Sequence, residues 1–517
     1  MRREEALAQI SSNETWDFLV IGGGATGLGT AVDASARGYR TLLVEQHDFA
    51  KGTSSRSTKL VHGGVRYLKQ GNISLVLEAL NERGLLVENA PHLVHHLSFI
   101  VPTYSWWEGP FYGIGMKIYD RLAGKLGLNP SANLSKEETI RLIPTIEQNG
   151  LLGGVSYYDG QFDDSRLAIN LAQTVFDLGG AAVNYMKVVD LIRQDDLVCG
   201  ARLRDEETGV EHEVYAGAVI NATGVFCDSI RRMDDPAVKS VIAPSQGAHV
   251  VLPKSFLPGD SAIMVPHTPD GRVLFAVPWH DHVVVGTTDI AVETISLEPT
   301  PMEEEIDFIL TTSAKYLSKD PERKDVLSVY AGLRPLVKVG DAKSSAAMSR
   351  DHTILISNTG LVTITGGKWT TYRKMAQDVV DQAETVAGFD RRACKTERLQ
   401  IHGWTRQAIP EEPLRIYGAD ASAVRALLQQ QPDLRERIHP DLNYVGAQVV
   451  WAVRAEMART VEDVLSRRTR ALLLGAAASM EAAPTVAHLM AQELGRNADW
   501  ERQAVEEYRS IAQGYLC

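Results

Sequence analysis

Cysteine is scarce in this sequence, and its four cysteines lie far apart at Cys199, Cys227, Cys394 and Cys517. No two are close enough along the chain to indicate a metal-binding or redox pair. We therefore expect free thiols in a reducing compartment, with no iron–sulfur module and no other metal site.

Long hydrophobic runs are also missing. Residues 1–15 are polar and lack the apolar stretch of a signal peptide. The most apolar segment, 471–480, is much shorter than the roughly 18–20 residues of a membrane span. We expect a cytoplasmic protein that is either free or bound peripherally to the inner face of the cell membrane.

Basic residues are outnumbered by acidic ones, 53 to 65, which gives a formal net charge of −12. This balance argues against a broad nucleic-acid-binding surface, although an anionic substrate would need only a few local cations. Low-complexity tracts and repeats of fixed period are absent as well. The 517 residues therefore suit an ordinary globular protein of roughly two or three domains.

The chain opens with a strand–helix–strand pattern that contains a glycine-rich turn. A continuous apolar run at 18–22 precedes a small-residue helix, and a second apolar run follows at 41–45. Gly22, Gly24 and Gly27 form G-x-G-x-x-G between the first run and the helix, where Ala25 and Thr26 would present free N–H groups to a pyrophosphate. Glu45 ends the second run and can accept a hydrogen bond from a ribose hydroxyl. This context predicts a dinucleotide site.

Later features favour FAD over NAD. A hydroxyl-rich loop follows the second strand, and Gly turns after apolar runs recur at 219–224 and 361–367, as if the chain returned twice to the same sheet. A helix start near 368 could also face the flavin and stabilise its reduced form. The additional cofactor contacts predicted in these segments are Thr53, Ser54, Ser55, Lys59, His62, Gly63, Gly64, Ala222, Thr223, Gly224, Gly366, Gly367, Lys368 and Thr370.

The predicted fold class is α/β with three units. Residues 1–240 and 341–390 form a discontinuous Rossmann-like FAD-binding domain. Short alternating apolar strands indicate an antiparallel-sheet substrate domain over 241–340. Helical patterning predicts a C-terminal helical domain over 391–517.

These segments resemble the FAD-dependent glycerol-3-phosphate dehydrogenase family, within the amino-acid-oxidase-like flavoproteins. The similarity is carried, in order, by 20–39, 52–68, 219–228, 278–289, 330–336, 365–376 and 461–470. It implies oxidation of sn-glycerol 3-phosphate to dihydroxyacetone phosphate, with hydride transfer to flavin and electrons passed to membrane quinone. The alternatives are a glycerophosphate oxidase that uses oxygen, a related amine or amino-acid oxidase, and a flavin-binding scaffold without catalysis.

The resemblance also implies a substrate site. A phosphate dianion requires cationic donors, and Arg66, Arg334 and Lys368 occupy family-like segments, with Tyr67 as a hydroxyl donor. A neutral imidazole suits deprotonation of an alcohol near neutral pH, for which His62 and His249 are the candidates. We favour His249 as the base and His62 as a flavin or substrate contact. The predicted catalytic residues are thus His249, Arg334 and Lys368.

Segment 105–128 combines paired tryptophans with an amphipathic helical pattern. Residues 112, 116, 119, 122 and 126 share an apolar face, and the basic residues 117, 121 and 125 follow another. Such a helix suits a membrane interface, but ordinary packing on the core gives the same pattern.

The partners expected from the resemblance and from this segment are glycerol 3-phosphate, a quinone and a membrane surface. A homodimer is one option for the oligomeric state, and no nucleic-acid partner is expected.

Overall fold

In the computed structural model, the described part of the chain forms two β-sheets and a helical C-terminal region. The structure describes residues 1–12, 14–64, 73–124, 127, 129–266, 268, 272–338, 351–407, 409 and 414–517. The predicted substrate contacts Arg66 and Tyr67 lie outside these residues, as do Lys125 and Leu126 of the amphipathic segment.

The β-strands are numbered in chain order. They are β1 Trp16–Ile21, β2 Thr41–Val44, β3 Leu60–Val61, β4 Val94–Thr103, β5 Ala132–Ser135, β6 Gly153–Phe162, β7 Ala181–Val183, β8 Met186–Gln194, β9 Leu197–Asp205, β10 Glu211–Asn221, β11 Ile242–Pro253, β12 Ser261–Val265, β13 Leu274–Trp279, β14 His282–Gly286, β15 Ile290–Ala291, β16 Ser328–Val337, β17 His352–Ile356 and β18 Val362–Gly366.

The α-helices are numbered in the same way. They are α1 Arg3–Ile10, α2 Ala25–Ala36, α3 Ile73–Asn89, α4 Glu108–Ala123, α5 Lys136–Leu142, α6 Asp164–Asp177, α7 Cys227–Asp234, α8 Glu303–Ala314, α9 Tyr372–Val386, α10 Ala421–Gln430, α11 Gly446–Glu456, α12 Ala471–Leu474, α13 Ala476–Leu494 and α14 Ala498–Ala512.

The first sheet has the order β17-β18-β10-β1-β2-β7, with β8 and β9 attached to β10. Its centre is parallel, because β1 pairs with β2 and β10, and β10 pairs with β18. The apolar runs of β1 and β2 are almost wholly buried, as expected for strands covered on both faces. The opening strand–helix–strand prediction is confirmed, and the strand ends Ile21 and Asn221 lie side by side.

The second sheet has the order β15-β11-β14-β13-β12-β4-β6-β3, with β16 on β11 and β5 on β6. Its strand pairs are antiparallel except for β12 with β4. We predicted this sheet within residues 241–340 alone. In the structure, β3 to β6 also belong to it, although they lie in the segment assigned to the FAD-binding domain. Local apolar patterning identifies strands but does not say which sheet they join.

The C-terminal region is joined to the first sheet by buried charges. The segment Asp463–Arg468 is a π-helical turn, and Arg467 and Arg468 both donate to the carboxylate of Asp48, in the loop after β2. All three side chains are buried. Within the part of the chain that the structure describes, no helix has the length and apolarity needed to cross a membrane.

Candidate active site

A cavity of about 1140 Å³ is lined by residues of both sheets. Its volume exceeds the roughly 300–1,000 Å³ of pockets for drug-sized ligands. The lining includes Gly22 and Glu45 beside the first sheet, and His249 and Arg334 in the second. The cavity can therefore accommodate an extended dinucleotide together with a small substrate.

The glycine turn brings β1, β10 and α2 into close contact. Gly22 has a φ of +112°, and a Cβ there would meet the carbonyl oxygen of Ala222 at 2.7 Å. A Cβ on Gly27 would meet the carbonyl oxygen of Gly22 at 1.8 Å. Gly24, Ala25 and Thr26 line the cavity at the start of α2. This backbone cradle and the helix N-terminus fit a pyrophosphate.

Glu45 lies at the end of β2 and lines the cavity. Its carboxylate accepts hydrogen bonds from the N–H groups of Gly23 at 2.7 Å and His47 at 2.9 Å. Burial raises the pKa of Glu45, although these two hydrogen bonds oppose the shift. Each oxygen keeps further acceptor capacity, so the group fits the predicted contact with a ribose hydroxyl.

Most predicted cofactor contacts converge on this cavity, but four do not line it. Besides the residues above, the lining contains Thr53, Ser54, His62, Gly64, Ala222, Thr223, Gly224, Gly366, Gly367, Lys368 and Thr370. The predicted contacts outside the lining are Gly27, Ser55, Lys59 and Gly63. Gly27 does not contact the cavity but lets α2 pack closely against the glycine turn. The N–H of Gly63 donates a hydrogen bond to the Tyr119 hydroxyl at 2.8 Å.

The predicted flavin contact of Lys59 is replaced in the structure by a buried ion pair. Its Nζ donates to Asp164 Oδ2 at 2.7 Å and to the carbonyl oxygen of Ser55 at 2.8 Å. Burial, and next the nearby Arg470, lower the pKa of Lys59 to about 7. A hydroxyl-rich loop carries no sequence signal for which of its side chains turn inward, and Lys59 turns away from the cavity.

His249 is held between two neighbouring strands. Its imidazole stacks on Tyr330 of β16, with ring centroids 4.6 Å apart. On the other side, His249 is paired in the sheet with Gly286 of β14. Burial, followed by the charges of Lys59 and Arg334, holds the pKa of His249 well below its usual value. The imidazole is therefore neutral at neutral pH, which is the form that a general base requires.

Arg334 of β16 has a fixed orientation at the cavity. Its Nη1 lies 3.2 Å from Asp289 Oδ1, and its Nη2 donates to the Thr287 hydroxyl at 3.1 Å. Thr287 and Asp289 were not predicted as site residues, although both lie in a segment that carries the family resemblance, 278–289. The signal available in the sequence was their place in that segment, directly after the apolar run that forms β14.

His62 and Lys368 line the cavity from different parts of the chain. Lys368 directly precedes the short 3₁₀ turn Trp369–Thr371, at the start of α9. His62 Nδ1 accepts a hydrogen bond from the Gly64 N–H at 3.1 Å, so neutral His62 carries its proton on Nε2. Burial lowers the pKa of His62, and the nearby Lys368 acts in the same direction.

Comparison with known proteins identifies the family of the chain. Residues 17–373 match the model of the FAD dependent oxidoreductase family, and 357–502 match that of the C-terminal domain of alpha-glycerophosphate oxidase. A mitochondrial glycerol-3-phosphate dehydrogenase of Arabidopsis thaliana is 40% identical, covering 99% of this chain and 88% of the relative. That of Mus musculus is 39% identical, covering 99% of this chain and 75% of the relative.

Solved structures show the same relationship. The glycerol-3-phosphate dehydrogenase of Bacillus halodurans, complexed with FAD, superposes with a TM-score of 0.81 at 28% identity, covering 100% of this chain and 98% of that one. An L-alpha-glycerophosphate oxidase of Mycoplasma pneumoniae shares the fold, with a TM-score of 0.57 at 18% identity over 75% of this chain and 98% of that one. The chain belongs to the family of FAD-dependent glycerol-3-phosphate dehydrogenases.

Proposed function

We propose that this enzyme oxidises sn-glycerol 3-phosphate to dihydroxyacetone phosphate. One observation carries the proposal: His249 and Arg334 from the second sheet line the same cavity as Lys368 and the glycine turn that begins at Gly22. A candidate base and two candidate phosphate donors are thereby placed beside a dinucleotide cradle. FAD, when bound there, supplies the acceptor for the hydride.

The phosphate contacts are assigned to Arg334 and Lys368. Arginine matches phosphate oxygens with paired donors, and lysine adds a compact positive charge. Asp289 and Thr287 hold the Arg334 guanidinium from one side, so less side-chain entropy is lost when the substrate binds. Arg66 and Tyr67 stay predictions for the same role.

Hydrogen bonding distinguishes the two candidate bases. His62 already uses Nδ1 to accept from the Gly64 N–H, which fixes its remaining nitrogen as a donor while the ring is neutral. His249 is neutral, and its Nε2 contacts the hydroxyl of Thr58, which can rotate and release the lone pair to the substrate, whereas an N–H group cannot. We therefore assign removal of the substrate hydroxyl proton to His249, and a contact with flavin or substrate to His62.

The test is an anaerobic titration of the purified holoenzyme with sn-glycerol 3-phosphate. Oxidised flavin absorbs at about 450 nm, and we expect this band to bleach on mixing with the substrate. Glycine and D-amino acids, which an amine or amino-acid oxidase would use, should leave the band unchanged. If no phosphorylated polyol bleaches the flavin, the assignment is wrong.

We also propose that the electrons pass to membrane quinone. The cavity lining continues over apolar side chains, including Ile114, Met116 and Ile118 of α4, and Met264 and Phe275 of the second sheet. Ile114 and Ile118 are also largely exposed to solvent, at 63% and 48%. An apolar wall that joins the cavity to an exposed apolar helix suits an acceptor that is dissolved in lipid.

The membrane contact is assigned to α4 and the residues before it. The face predicted from the sequence, with Tyr112, Met116 and Tyr119, is buried and packs on the core. A second apolar set is exposed instead: Trp106 (84% exposed), Trp107 (43%), Phe111 (51%), Ile114 (63%) and Ile118 (48%). Phe111, Ile114 and Ile118 of this set also line the cavity. Lys117 and Arg121 are exposed on the same helix. This combination suits binding at an anionic lipid surface.

Oxygen is the alternative acceptor, because the C-terminal region matches a family model named for alpha-glycerophosphate oxidase. The two acceptors are compared by following substrate-dependent peroxide formation and reduction of a soluble quinone analogue in the same preparation. We expect quinone reduction to be much faster. Peroxide formation at an equal rate would favour the oxidase.

A further inference from the structure

Thr58 is a cavity residue that was not predicted as part of the site. Its hydroxyl lies 2.9 Å from His249 Nε2, and both residues line the cavity. Thr58 stands in the loop between β2 and β3, so this hydrogen bond crosses from the cofactor-binding loop to β11 in the second sheet. The contact joins the candidate base to the part of the chain that surrounds the flavin site.

The imidazole of His249 is confined on its other sides. It stacks nearly parallel on Tyr330, at an interplanar angle of 11°. A Cβ on Gly286 would meet His249 Cδ2 at 2.2 Å, so the ring fills the space that this glycine leaves. The Tyr330 hydroxyl donates to the carbonyl oxygen of Ser57 at 2.9 Å, next to Thr58. The loop therefore supports both the stacking partner and the hydrogen-bonding partner of the ring.

The two ring nitrogens are in different environments. His249 Nδ1 is buried and has no hydrogen-bond partner among the described residues. Nε2 is bonded to the hydroxyl of Thr58. The proton that leaves the substrate therefore has to arrive at the nitrogen that Thr58 contacts.

We propose that Thr58 is a positioning residue for His249, holding Nε2 at the cavity and stabilising the ring before and after proton transfer. This inference rests on the proposed function, with His249 as the base. In the neutral ring the Thr58 hydroxyl donates to the Nε2 lone pair. Nε2 has one lone pair, so the Thr58 hydroxyl rotates its hydrogen away when the substrate hydroxyl binds there. Once the substrate proton is on Nε2, Thr58 Oγ accepts a hydrogen bond from the new N–H.

The proton balance is simple. The substrate hydroxyl proton ends on His249 Nε2, the hydride on carbon-2 leaves for FAD, and the C–O bond becomes a carbonyl. A hydroxyl can both donate and accept, so serine can replace threonine in this role. Valine has nearly the same shape as threonine but can do neither.

The experiment compares Thr58→Val with Thr58→Ser in the holoenzyme. Anaerobic flavin reduction by sn-glycerol 3-phosphate is followed per bound flavin, so incomplete loading does not enter the rate constant. We expect Thr58→Val to lower the maximal rate constant roughly 10- to 100-fold, the scale of a lost hydrogen bond to a charged group. The half-saturating substrate concentration should change much less, and Thr58→Ser should retain most of the rate.

A double-mutant cycle separates positioning from general support of the loop. We expect Thr58→Val to lower the already slow reduction rate of His249→Ala by less than about twofold, because the partner has gone. An equal loss in both backgrounds would overturn the proposal. So would a Thr58→Val variant as fast as the wild type, or a Thr58→Ser variant as slow as Thr58→Val.

Two further outcomes are distinguishable. If the wild type is not reduced by sn-glycerol 3-phosphate, the proposed function fails independently of Thr58. If Thr58→Val loses FAD, Thr58→Ala takes its place in the cycle. Loss of FAD from both variants would show that Thr58 maintains the fold, and would overturn the positioning role.

Discussion

The guanidinium of Arg334 lies directly over Gly247 of the neighbouring strand β11. A Cβ built on Gly247 would meet Arg334 Nη2 at 2.5 Å and Nη1 at 2.8 Å. The same two nitrogens donate to the carbonyl oxygens of Gln246 and Thr288, and contact Thr287 and Asp289. Gly247 and His249 are two residues apart on β11, so they share one face of the sheet. The Arg334 guanidinium, which lies over Gly247, is therefore on the same face as the His249 imidazole.

Gly247→Ala should therefore weaken substrate binding without removing a charge. The new methyl group would displace the guanidinium from its acceptors, and we expect KM for sn-glycerol 3-phosphate to rise about tenfold, which corresponds to ~1.4 kcal/mol. Bound FAD should be unchanged. Gly109→Ala is the matched control, because a Cβ there meets nothing within 4 Å. An unaltered KM for Gly247→Ala, combined with a large increase for Arg334→Ala, would show that the arginine adapts.

Asp48 should be important for stability, because it joins the C-terminal region to the loop after β2. Burial would raise the pKa of Asp48, yet Arg468 and Arg467 hold it well below its usual range. Asp48→Ala leaves both guanidinium groups buried without this acceptor. We therefore expect the free energy of unfolding to fall by about 3–5 kcal/mol. The midpoint of thermal unfolding reports the loss.

The control for this prediction is Asp190→Ala. Asp190 pairs with Arg202 at the surface, where both side chains are about half exposed. Such pairs contribute at most about 1 kcal/mol, so the unfolding midpoint should shift little. Equal shifts for Asp48→Ala and Asp190→Ala would mean that the buried network does not hold the two parts together.

Membrane attachment should depend on the exposed apolar set around α4. Trp106→Ser together with Ile114→Ser should abolish sedimentation with vesicles that contain phosphatidylglycerol, and leave the thermal midpoint unchanged because both side chains are exposed. Leu197→Ser is the control, since Leu197 is 56% exposed on β9. If the wild-type protein ignores such vesicles, or if Leu197→Ser reduces binding equally, the surface is not a membrane contact.

The parts of the site that depend on local backbone geometry could be predicted from the sequence. Gly22, Gly24 and Gly27 follow a buried strand at the spacing a dinucleotide turn requires. At Gly22 and Gly27 the structure shows close approaches that only glycine permits. Glu45 was predicted in the same way. These residues act through their neighbours along the chain, so a pattern of types and spacings suffices.

Features that depend on which way a side chain turns could not be predicted. Lys59 and Thr58 are adjacent in one loop, yet Lys59 is buried against Asp164 while Thr58 reaches the cavity. The same limit applies to α4, where periodicity identified a packed face and missed the second, exposed apolar set. Likewise the membership of β3 to β6 in the second sheet is decided by contacts between distant segments, which local composition does not encode.

His402 should give the fold a specific pH dependence. It lies between Asp177 at the end of α6 and Asp420 in the C-terminal region, with nitrogen–oxygen distances of 2.7 and 2.9 Å. Burial opposes protonation, but the two carboxylates prevail and raise the pKa of His402 to about 9. The folded state therefore binds this proton more tightly than the unfolded state, in which the pKa is about 6.5.

The stabilisation by His402 is complete below about pH 6.5 and is lost as the pH rises to about 9. Lys59 acts in the opposite direction over part of this range, because its folded-state pKa is lowered to about 7. The pH dependence of the wild-type unfolding midpoint alone therefore does not isolate the contribution of His402. His402→Gln keeps hydrogen-bonding capacity but does not titrate, so its thermal midpoint should fall less than that of the wild type between pH 6.5 and 9. The control is His488→Gln, at a side chain 59% exposed. If wild type and His402→Gln show parallel curves, the two carboxylates do not hold a proton on His402.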